Sequence, residues 1–344
     1  MQQTDGPRAI KSTRIPGEAE SLPRHSAAVT SADTIKTTDA TVVLATHDLG
    51  RWPFLVAAVE SIFAERHGPA HVVISVDQND ELLERVRQTW PQATAVPNKG
   101  RRGASSTRNT GAECAETPFI AFIDDDIRVR DGWLSRLLAP FSDPSVVGTG
   151  GGVVARWQAG RPDWFPEEFD WVVGASHRGM PTARSAVRNV WSENMAVRTE
   201  AFRAVGGFRT GFGKVGSVSS PEDTDLCIRI SADTAGKQWV YVPDAVAEHH
   251  VPIGRASLYH FLRRNYYEGY GKIELAYLLG RQEKLQDERD YLRRIVPAGI
   301  LAGFKAAAVR RDLNGLRKAG AMIVGVLAAG AGAMIAKSHA RDYR

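Results

Sequence analysis

Residues 41–126 alternate between short apolar runs and segments whose apolar positions recur at helical spacing. Each apolar run is rich in β-branched or aromatic residues, which is typical of buried strands, and the spacing between them indicates amphipathic helices. The pattern predicts strands at residues 41–46, 71–76 and 119–123, and a loop that enters a helix at 103–114. It also predicts a helix near 81–90 and one that follows a turn at 47–51 and carries Leu55, Val56, Val59, Ile62 and Phe63 on one face. Strands and helices that alternate over short connections predict an α/β fold with a mostly parallel central sheet flanked by helices.

The pattern is looser after residue 127. A short helix is predicted at 133–138, a glycine-rich stretch at 148–154, a variable loop at 163–179, an ordered block from 190 to 198, an amphipathic helix at 222–230 and a strand at 239–242. His249 and His250 follow that last strand, so we expect them just past its end.

The last ninety residues differ from the rest in composition. Residues 258–279 predict a helix that is unusually aromatic, and two apolar segments follow at 296–309 and 319–336. The second segment carries no charge and is flanked by Arg317, Lys318 and Lys337, which suits a helix at a cytosolic membrane surface. The alternative is a pair of packed helices in a soluble protein. We therefore predict a disordered leader at 1–38, a catalytic domain at 39–255 and a basic, membrane-prone helical extension at 256–344.

Composition narrows the class of partner. The chain has 344 residues and a formal charge of +5, an excess that is compatible with anionic substrates and too small to indicate nucleic acid. It has two cysteines, Cys114 and Cys227, and neither lies in a metal-binding or redox spacing. A reducing, cytoplasmic compartment is the simplest interpretation.

Three adjacent carboxylates, Asp124, Asp125 and Asp126, directly follow the apolar run at 119–123. Like charges at the end of a buried strand repel one another unless a cation compensates them. Mg²⁺ and Mn²⁺ prefer oxygen ligands and commonly bind substrate phosphates as well. The triplet predicts a metal–diphosphate site at the carboxyl edge of the sheet, and the alternative is a solvated acidic loop.

A second acidic site opens the helix at 222–230. Glu222 and Asp223 lie in its first turn, where acids are favoured by the helix dipole alone. The functional alternative is a general base that takes a proton from an attacking hydroxyl. His249, or failing that His250, could complete a metal site that is otherwise carboxylate, phosphate and water.

Seven motifs together resemble the family 2 glycosyltransferases, which have the GT-A fold of the nucleotide-diphospho-sugar transferase superfamily. They are residues 41–48, Val76-Asp77, the Gly-rich stretch 103–111, Phe122 to Asp126, Asn194 to Arg198, Gly206-Gly207-Phe208 and Glu222 to Leu226, followed by the late histidine. The resemblance covers roughly residues 40 to 255. It implies inverting, metal-dependent transfer of a sugar from a nucleotide-diphosphate sugar to a hydroxyl of a glycan, lipid or small-molecule acceptor, with Mn²⁺ or Mg²⁺ as cofactor.

The resemblance also implies a role for each matching residue. It places Thr46, Asp48, Asp77, Arg108, Asp124 and Asp125 in donor binding, Asp126 and His249 at the metal, and Asp223 as the base with Glu222 beside it. The role of Asp125 within that group is left open. Glu193 stands where the family often has a small residue, and we expect it and Asn194 to be candidates for acceptor contact.

Two other functions are compatible with parts of the sequence. A nucleotidyltransferase can share the nucleotide and metal sites, but it gives no reason for the Glu222-Asp223 pair or the late histidine. A catalytically silent interaction protein could keep the scaffold, but the complete set of carboxylates argues against it.

Overall fold

The computed structural model describes residues 35–211, 214–215, 218–219, 221–279 and 286–341. The strands are β1 Ala40–Thr46, β2 His71–Val76, β3 Thr94–Pro97, β4 Phe119–Asp124, β5 Ile127–Val129, β6 Val146–Trp157, β7 Ser185–Val187, β8 Asn194–Arg198, β9 Lys214–Val215, β10 Val218–Ser219 and β11 Gln238–Val251. The helices are α1 Trp52–Phe63, α2 Asp80–Thr89, α3 Ala104–Glu113, α4 Trp133–Leu138, α5 Thr199–Ala204, α6 Glu222–Asp233, α7 Leu258–Leu278, α8 Gln286–Asp290, α9 Val296–Arg310 and α10 Leu313–Arg341, with a π-helix at Tyr291–Ile295. Residues 1–34 of the leader predicted at 1–38 lie outside the described residues.

The main sheet is parallel in one half and mixed in the other. Its strands follow the order β3-β2-β1-β4-β8-β6-β11-β5, with β7 paired to β11 off this path. Strands β3, β2, β1 and β4 are parallel neighbours, whereas β8 is antiparallel to both β4 and β6. The predicted α/β fold is confirmed, and its parallel part is the half that the strongest sequence pattern covers.

Apolar cores cover both faces of the sheet. On one face, Leu55, Val59 and Ile62 of α1 pack with buried residues of β1 and β4. On the other face, Leu226 and Ile230 of α6 pack against residues from the same central strands. Because β1 and β4 are buried on both faces, they read as unbroken apolar runs rather than alternating ones.

The parallel register determines where the functional residues meet. Ala45 of β1 pairs with Asp124 of β4, and Thr46 pairs with Val76, the residue before Asp77. The carboxyl ends of these strands therefore form one edge, the usual place for ligands in α/β sheets.

Strand β11 is longer than the sequence pattern predicted. After Val242 an irregularity accommodates Pro243 and Asp244, and pairing with β6 resumes from Ala247 to Val251. His249 and His250 therefore lie inside a strand, paired to β6 and next to β5, and the prediction that they follow a strand end was wrong. Alternation along the strand sends their side chains to opposite faces.

Residues 163–179, predicted as a variable loop, are ordered and partly buried. A 3₁₀ turn at Glu167–Val173 carries Phe169 into a third apolar core with Phe165, Phe261 and Met322. Because Phe261 belongs to α7 and Met322 to α10, this core attaches the C-terminal helices to the catalytic sheet.

The helix α10 lies close against α7 and is also largely apolar. A Cβ at Gly269 would lie 1.9 Å from the carbonyl oxygen of Ala329, and one at Gly332 would lie 2.0 Å from that of Tyr266, so glycine is what permits this approach. Among the described residues, Leu313–His339 is the one helix that is long and apolar enough to cross a membrane, judged by length and composition.

Candidate functional site

A cleft of roughly 1640 Å³ opens at the carboxyl edge of the sheet. The structure brings ten of the predicted site residues to its walls: Thr46, Asp77, Arg108, Asp124, Asp125, Asp126, Glu193, Glu222, Asp223 and His249. Residues from seven separate segments of the sequence therefore converge on one cavity.

Arg108 holds the two acidic segments together. Its buried guanidinium donates to Asp124 Oδ1 at 2.5 Å and lies 3.5 Å from Glu222 Oε1. Burial opposes the charged form of Arg108, but Asp124, Glu222 and Asp223 outweigh that effect and raise the pKa of Arg108. Within the described structure its Nε and Nη1 have no hydrogen-bond acceptor, so these donors remain for an anionic ligand.

Asp125 is held by the protein itself. It accepts hydrogen bonds from the Thr46 hydroxyl at 2.7 Å and from Arg51 Nε at 2.9 Å. Burial raises the pKa of Asp125, and the attraction of Arg51 works against this rise. The sequence left the role of Asp125 open. In the structure its internal hydrogen bonds hold Thr46 and Arg51 in place.

Asp126 and His249 form the pair best suited to a metal ion. Asp126 Oδ2 lies 3.2 Å from His249 Nε2 and 2.7 Å from Arg51. Burial raises the pKa of Asp126, but His249 and Arg51 outweigh it and the net pKa lies below the ordinary value. Burial lowers the pKa of His249, but Asp126 outweighs it and brings that pKa to about 9, which favours the charged imidazolium beside Asp126.

The orientation of His249 supports metal binding. Its Nδ1 is 2.9 Å from the carbonyl oxygen of Gly174, so Nδ1 carries a proton and Nε2 faces Asp126. Gly174 has a φ of +71°, and a Cβ there would lie 2.7 Å from the His249 ring, so glycine keeps this carbonyl in reach. No cluster of three or more protein metal ligands occurs in the described ranges. A carboxylate and an imidazole nevertheless fit Mg²⁺ or Mn²⁺, since such ions complete their shells with water and substrate phosphate.

His250 points away from the cleft. Its ring stacks on Phe54 with centroids 4.1 Å apart, and it does not line the cavity. The structure therefore favours His249 over His250, which is the order of preference that the sequence analysis gave.

Glu222 and Asp223 are acids whose neutral forms are favoured by their surroundings. Burial and the adjacent Asp223 raise the pKa of Glu222 to about 7, against the attraction of Arg108. Burial also raises the pKa of Asp223, opposed by Arg108 and Ser192. In the described part of the chain Asp223 Oδ1 is buried without a hydrogen-bond partner, and the residue faces the cleft. A carboxylate oxygen in that position can accept a proton from a bound hydroxyl.

Glu193 adds another carboxyl group at the same place. Burial raises its pKa to about 8, although the nearby His249 opposes this shift. Its Oε2 lies 4.0 Å from His249 Nδ1, and its side chain is 14% exposed. Glu193 lines the cleft, as acceptor contact requires.

Asn194 was predicted as an acceptor contact, and the structure contradicts this. Its Oδ1 accepts from Trp133 Nε1 at 2.7 Å, and its Nδ2 donates to the carbonyl oxygens of Gly152 and Ala245. The side chain is 1% exposed and does not line the cleft. Asn194 instead connects α4 to the irregular section of β11, because its side-chain amide makes hydrogen bonds to three separate segments.

Asp77 and Asp48 have local contacts that sequence analysis could not supply. Asp77 lines the cleft and accepts from Asn98 Nδ2 at 2.7 Å and from the Gly103 amide at 2.9 Å, which fixes the loop before α3. Asp48 is exposed, caps the 3₁₀ turn at Leu49–Arg51, and is not among the residues that line the cleft.

Two arginines at the site were missed. Arg51 contacts both Asp125 and Asp126, and Arg255 lies 3.2 Å from His249 Nε2 and 3.9 Å from Asp126. The one signal for them in the sequence is their position in turns that follow β1 and β11. Such a position is common to many surface arginines.

Comparison with known proteins identifies the family of the chain. Residues 41–206 match the family model described as glycosyl transferase family 2. A glucosyl-dolichyl phosphate glucuronosyltransferase of Haloferax volcanii is 32% identical over 250 residues, which are 71% of this chain and 80% of that protein. A pre-mycofactocin glycosyltransferase of Mycobacterium tuberculosis is 34% identical over 149 residues, 43% of this chain and 30% of that protein.

A solved structure has the same fold. It is the mannosyltransferase PcManGT from Pyrobaculum calidifontis in complex with GDP-Man and Mn²⁺, with a TM-score of 0.57, 16% identity, and coverage of 87% of this chain and 88% of that one. The chain is a glycosyltransferase of family 2 and has the GT-A fold.

Proposed function

We propose that this enzyme transfers a sugar from a nucleotide-diphosphate donor to an acceptor hydroxyl with inversion at the anomeric carbon, using Mn²⁺ or Mg²⁺. The observation that carries the proposal is that one cleft holds the Asp126–His249 pair and the unpartnered Oδ1 of Asp223. The pair suits a diphosphate-bound metal, and the free oxygen suits a base. The relatives and the structural neighbour, which carry glycosyltransferase names, support the same chemistry.

The proposed reaction is a single displacement. Asp223 accepts the proton of the acceptor hydroxyl while that oxygen forms a bond to the anomeric carbon. The bond from the anomeric carbon to the diphosphate oxygen breaks, and its electron pair leaves with the nucleoside diphosphate. Asp126 and His249 would hold the metal, which when bound would supply positive charge near the leaving diphosphate. Because attack and departure occur on opposite sides of one carbon, the configuration inverts.

Other residues of this chain hold the donor. Among the described residues Nε and Nη1 of Arg108 have no hydrogen-bond acceptor, so both can donate to phosphate oxygens, and Asp124 orients Arg108 through their 2.5 Å contact. Asp77 is proposed to contact the base or ribose, and Thr46 lines the same pocket. Asp48, which caps a turn outside the cleft, has at most an indirect part in donor binding.

The proposal is tested by incubating the enzyme with a panel of nucleotide sugars, with and without Mn²⁺, and identifying the released phosphate compound. We expect nucleoside diphosphate to appear with one donor class when Mn²⁺ is present. Release of a sugar 1-phosphate would indicate transfer of the nucleotidyl group, the reaction of a nucleotidyltransferase, instead. No turnover and no metal-dependent binding of any donor would favour a catalytically silent protein.

We also propose that the protein is cytoplasmic and attaches to the cytosolic face of a membrane through α9 and α10. Several large apolar side chains on these helices are exposed, including Leu301, Val309, Leu327 and Met334 at 66–72%. Lys305, Arg311, Arg317 and Lys318 lie on or between the same helices, so cations accompany the apolar surface. This combination suits the interface of an anionic bilayer.

The membrane proposal predicts cosedimentation with vesicles that contain phosphatidylserine, and weaker cosedimentation with purely zwitterionic vesicles. Leu327→Glu should lower binding by about tenfold, since a charge replaces apolar area at the interface. Phe63→Glu on α1 is the control, because Phe63 is also exposed but belongs to the catalytic sheet's own helices. Equal loss in both variants, or no loss in Leu327→Glu, would contradict this surface.

A further inference from the structure

One cationic side chain lies beside the two residues proposed to hold the metal. Arg255 Nη1 is 3.2 Å from His249 Nε2, and Arg255 Nη2 is 3.9 Å from Asp126 Oδ2. Arg255 also lines the cleft, and its side chain is 23% exposed. A diphosphate bound at the Asp126–His249 pair would therefore come within reach of a guanidinium, the group that suits phosphate oxygens best.

The position of Arg255 leaves its side chain free to turn toward a ligand. It belongs to the 3₁₀ turn Ile253–Ala256, which follows β11 and has no buried residue. Among the described residues, the hydrogen bond and ion pair of its side chain are those to His249 and Asp126. Arg51 differs, because its Nε also donates to Asp125 at 2.9 Å. Arg255 can thus reach a bound anion without breaking a contact that the fold requires.

Arginines balance the charge of the three aspartates at the end of β4. Each aspartate has an arginine partner, and the pairs are Asp124 with Arg108, Asp125 with Arg51, and Asp126 with both Arg51 and Arg255. The triplet therefore offers little unbalanced negative charge to a bare divalent cation, which Arg255 would also repel. A diphosphate reverses this balance, because its negative charge attracts the metal and Arg255 alike.

We propose that Arg255 binds the diphosphate of the donor, and that its charge makes binding of the metal depend on that diphosphate. This inference rests on the proposed function, because it concerns the leaving group of the same site. When the bond to the anomeric carbon breaks, the diphosphate oxygen gains negative charge, and the guanidinium of Arg255 stabilises it. Arg255 thereby favours the metal together with the donor over the metal alone.

Two affinities of the full-length enzyme test this role without requiring turnover. The affinity for Mn²⁺ alone is measured by electron paramagnetic resonance of the free ion, and that for UDP, GDP, ADP and CDP by calorimetry at a fixed Mn²⁺ concentration. Arg255→Gln should bind Mn²⁺ alone about threefold more tightly, because a repelling charge is gone, and the preferred nucleotide about tenfold more weakly. Loss of both affinities would indicate a structural role and overturn the proposal, as would no change in either.

A second arginine near β11 provides the matched control. Arg156 pairs with Glu248, the residue before His249, but its side chain is 58% exposed and it does not line the cleft. Arg130 also pairs with Glu248, so that carboxylate keeps a partner when Arg156 is replaced. Arg156→Gln should leave both affinities unchanged. If it reproduced the opposite shifts expected for Arg255→Gln, the effect would come from the general charge around β11, and the assignment to Arg255 would fail.

A conservative variant separates the charge of Arg255 from its shape. Arg255→Lys keeps the positive charge but loses the planar fork that holds two phosphate oxygens. It should bind Mn²⁺ alone as the wild type does and should bind the nucleotide more weakly than the wild type but more tightly than Arg255→Gln. If the wild type bound none of the four nucleotides with Mn²⁺, the proposed function would fail as well. Normal binding that Arg255→Gln leaves unchanged would overturn this inference alone.

Discussion

Asp223→Asn is expected to lower the rate of sugar transfer by about a thousandfold while donor binding is kept. The substitution preserves the size of the side chain but removes the carboxylate that accepts the proton. The buried Oδ1 of Asp223, which lacks a partner within the described structure, is the atom placed for that task. Steady-state transfer and equilibrium binding of the donor with Mn²⁺, measured on the same preparation, separate the two effects.

A second acid on the same helix provides the control. Asp233 is exposed at the end of α6, so Asp233→Asn should leave transfer unchanged. Glu222→Gln should cause a smaller loss than Asp223→Asn, since Glu222 lies 3.5 Å from Arg108 whereas Asp223 is the proposed base. Undiminished transfer in Asp223→Asn would remove Asp223 as the base.

The pH dependence of transfer gives an independent check on the base. Burial raises the pKa of Asp223, and a protonated carboxyl group cannot accept the acceptor's proton. Transfer should therefore fall as the pH is lowered, and it should fall at a higher pH than an ordinary aspartate would give. In Asp223→Asn the residual rate should lose this acidic limb.

The parallel half of the sheet was predicted well because each of its main strands is a short apolar run that can be recognised without knowing its partners. Strands β1, β2 and β4 are buried on both faces, and each reads as one apolar run that ends in polar residues. Local pattern was insufficient for β11, where Pro243 suggested an end. The strand continues because it pairs with β6 again after the irregularity. This pairing joins segments that are far apart in the chain, so the local hydrophobic pattern does not indicate it.

The site was predictable where a residue's chemistry is unusual for its location and not where it is ordinary. Three adjacent aspartates after an apolar strand drew attention because their repulsion needs a compensating charge. Part of that charge is Arg51, whose position in a turn is unremarkable in the sequence. Asn194 shows the converse error, because an amide in a recognisable motif serves three internal hydrogen bonds instead of a ligand.

Contacts between the catalytic sheet and the C-terminal helices could not be predicted from local pattern. The sequence indicated that α7 is unusually aromatic but not which of its aromatic residues would be buried. In the structure Phe261 of α7 packs with Phe165 and Phe169, while Tyr267 of the same helix lines the cleft, so the aromatic residues of α7 lie on different faces. The cleft wall formed by α7 thus depends on tertiary contacts between segments more than ninety residues apart.

His249→Gln is expected to weaken Mn²⁺ binding in the presence of nucleoside diphosphate by about a hundredfold and to lower transfer correspondingly. The side chain loses the imidazole Nε2 that lies 3.2 Å from Asp126, and with it one of the two protein ligands proposed for the metal. Calorimetric titration of Mn²⁺ into the enzyme–nucleotide complex measures the affinity, and transfer assayed over a range of Mn²⁺ concentrations shows whether excess metal restores the rate.

The adjacent histidine makes the control unusually close. His250→Gln changes the next residue of β11, but that ring stacks on Phe54 on the opposite face and does not line the cleft. It should leave Mn²⁺ affinity unchanged, with any effect confined to stability. If both variants lost metal affinity equally, the effect would come from β11 as a whole. If His249→Gln kept full affinity, Asp126 and the diphosphate would have to hold the metal without an imidazole.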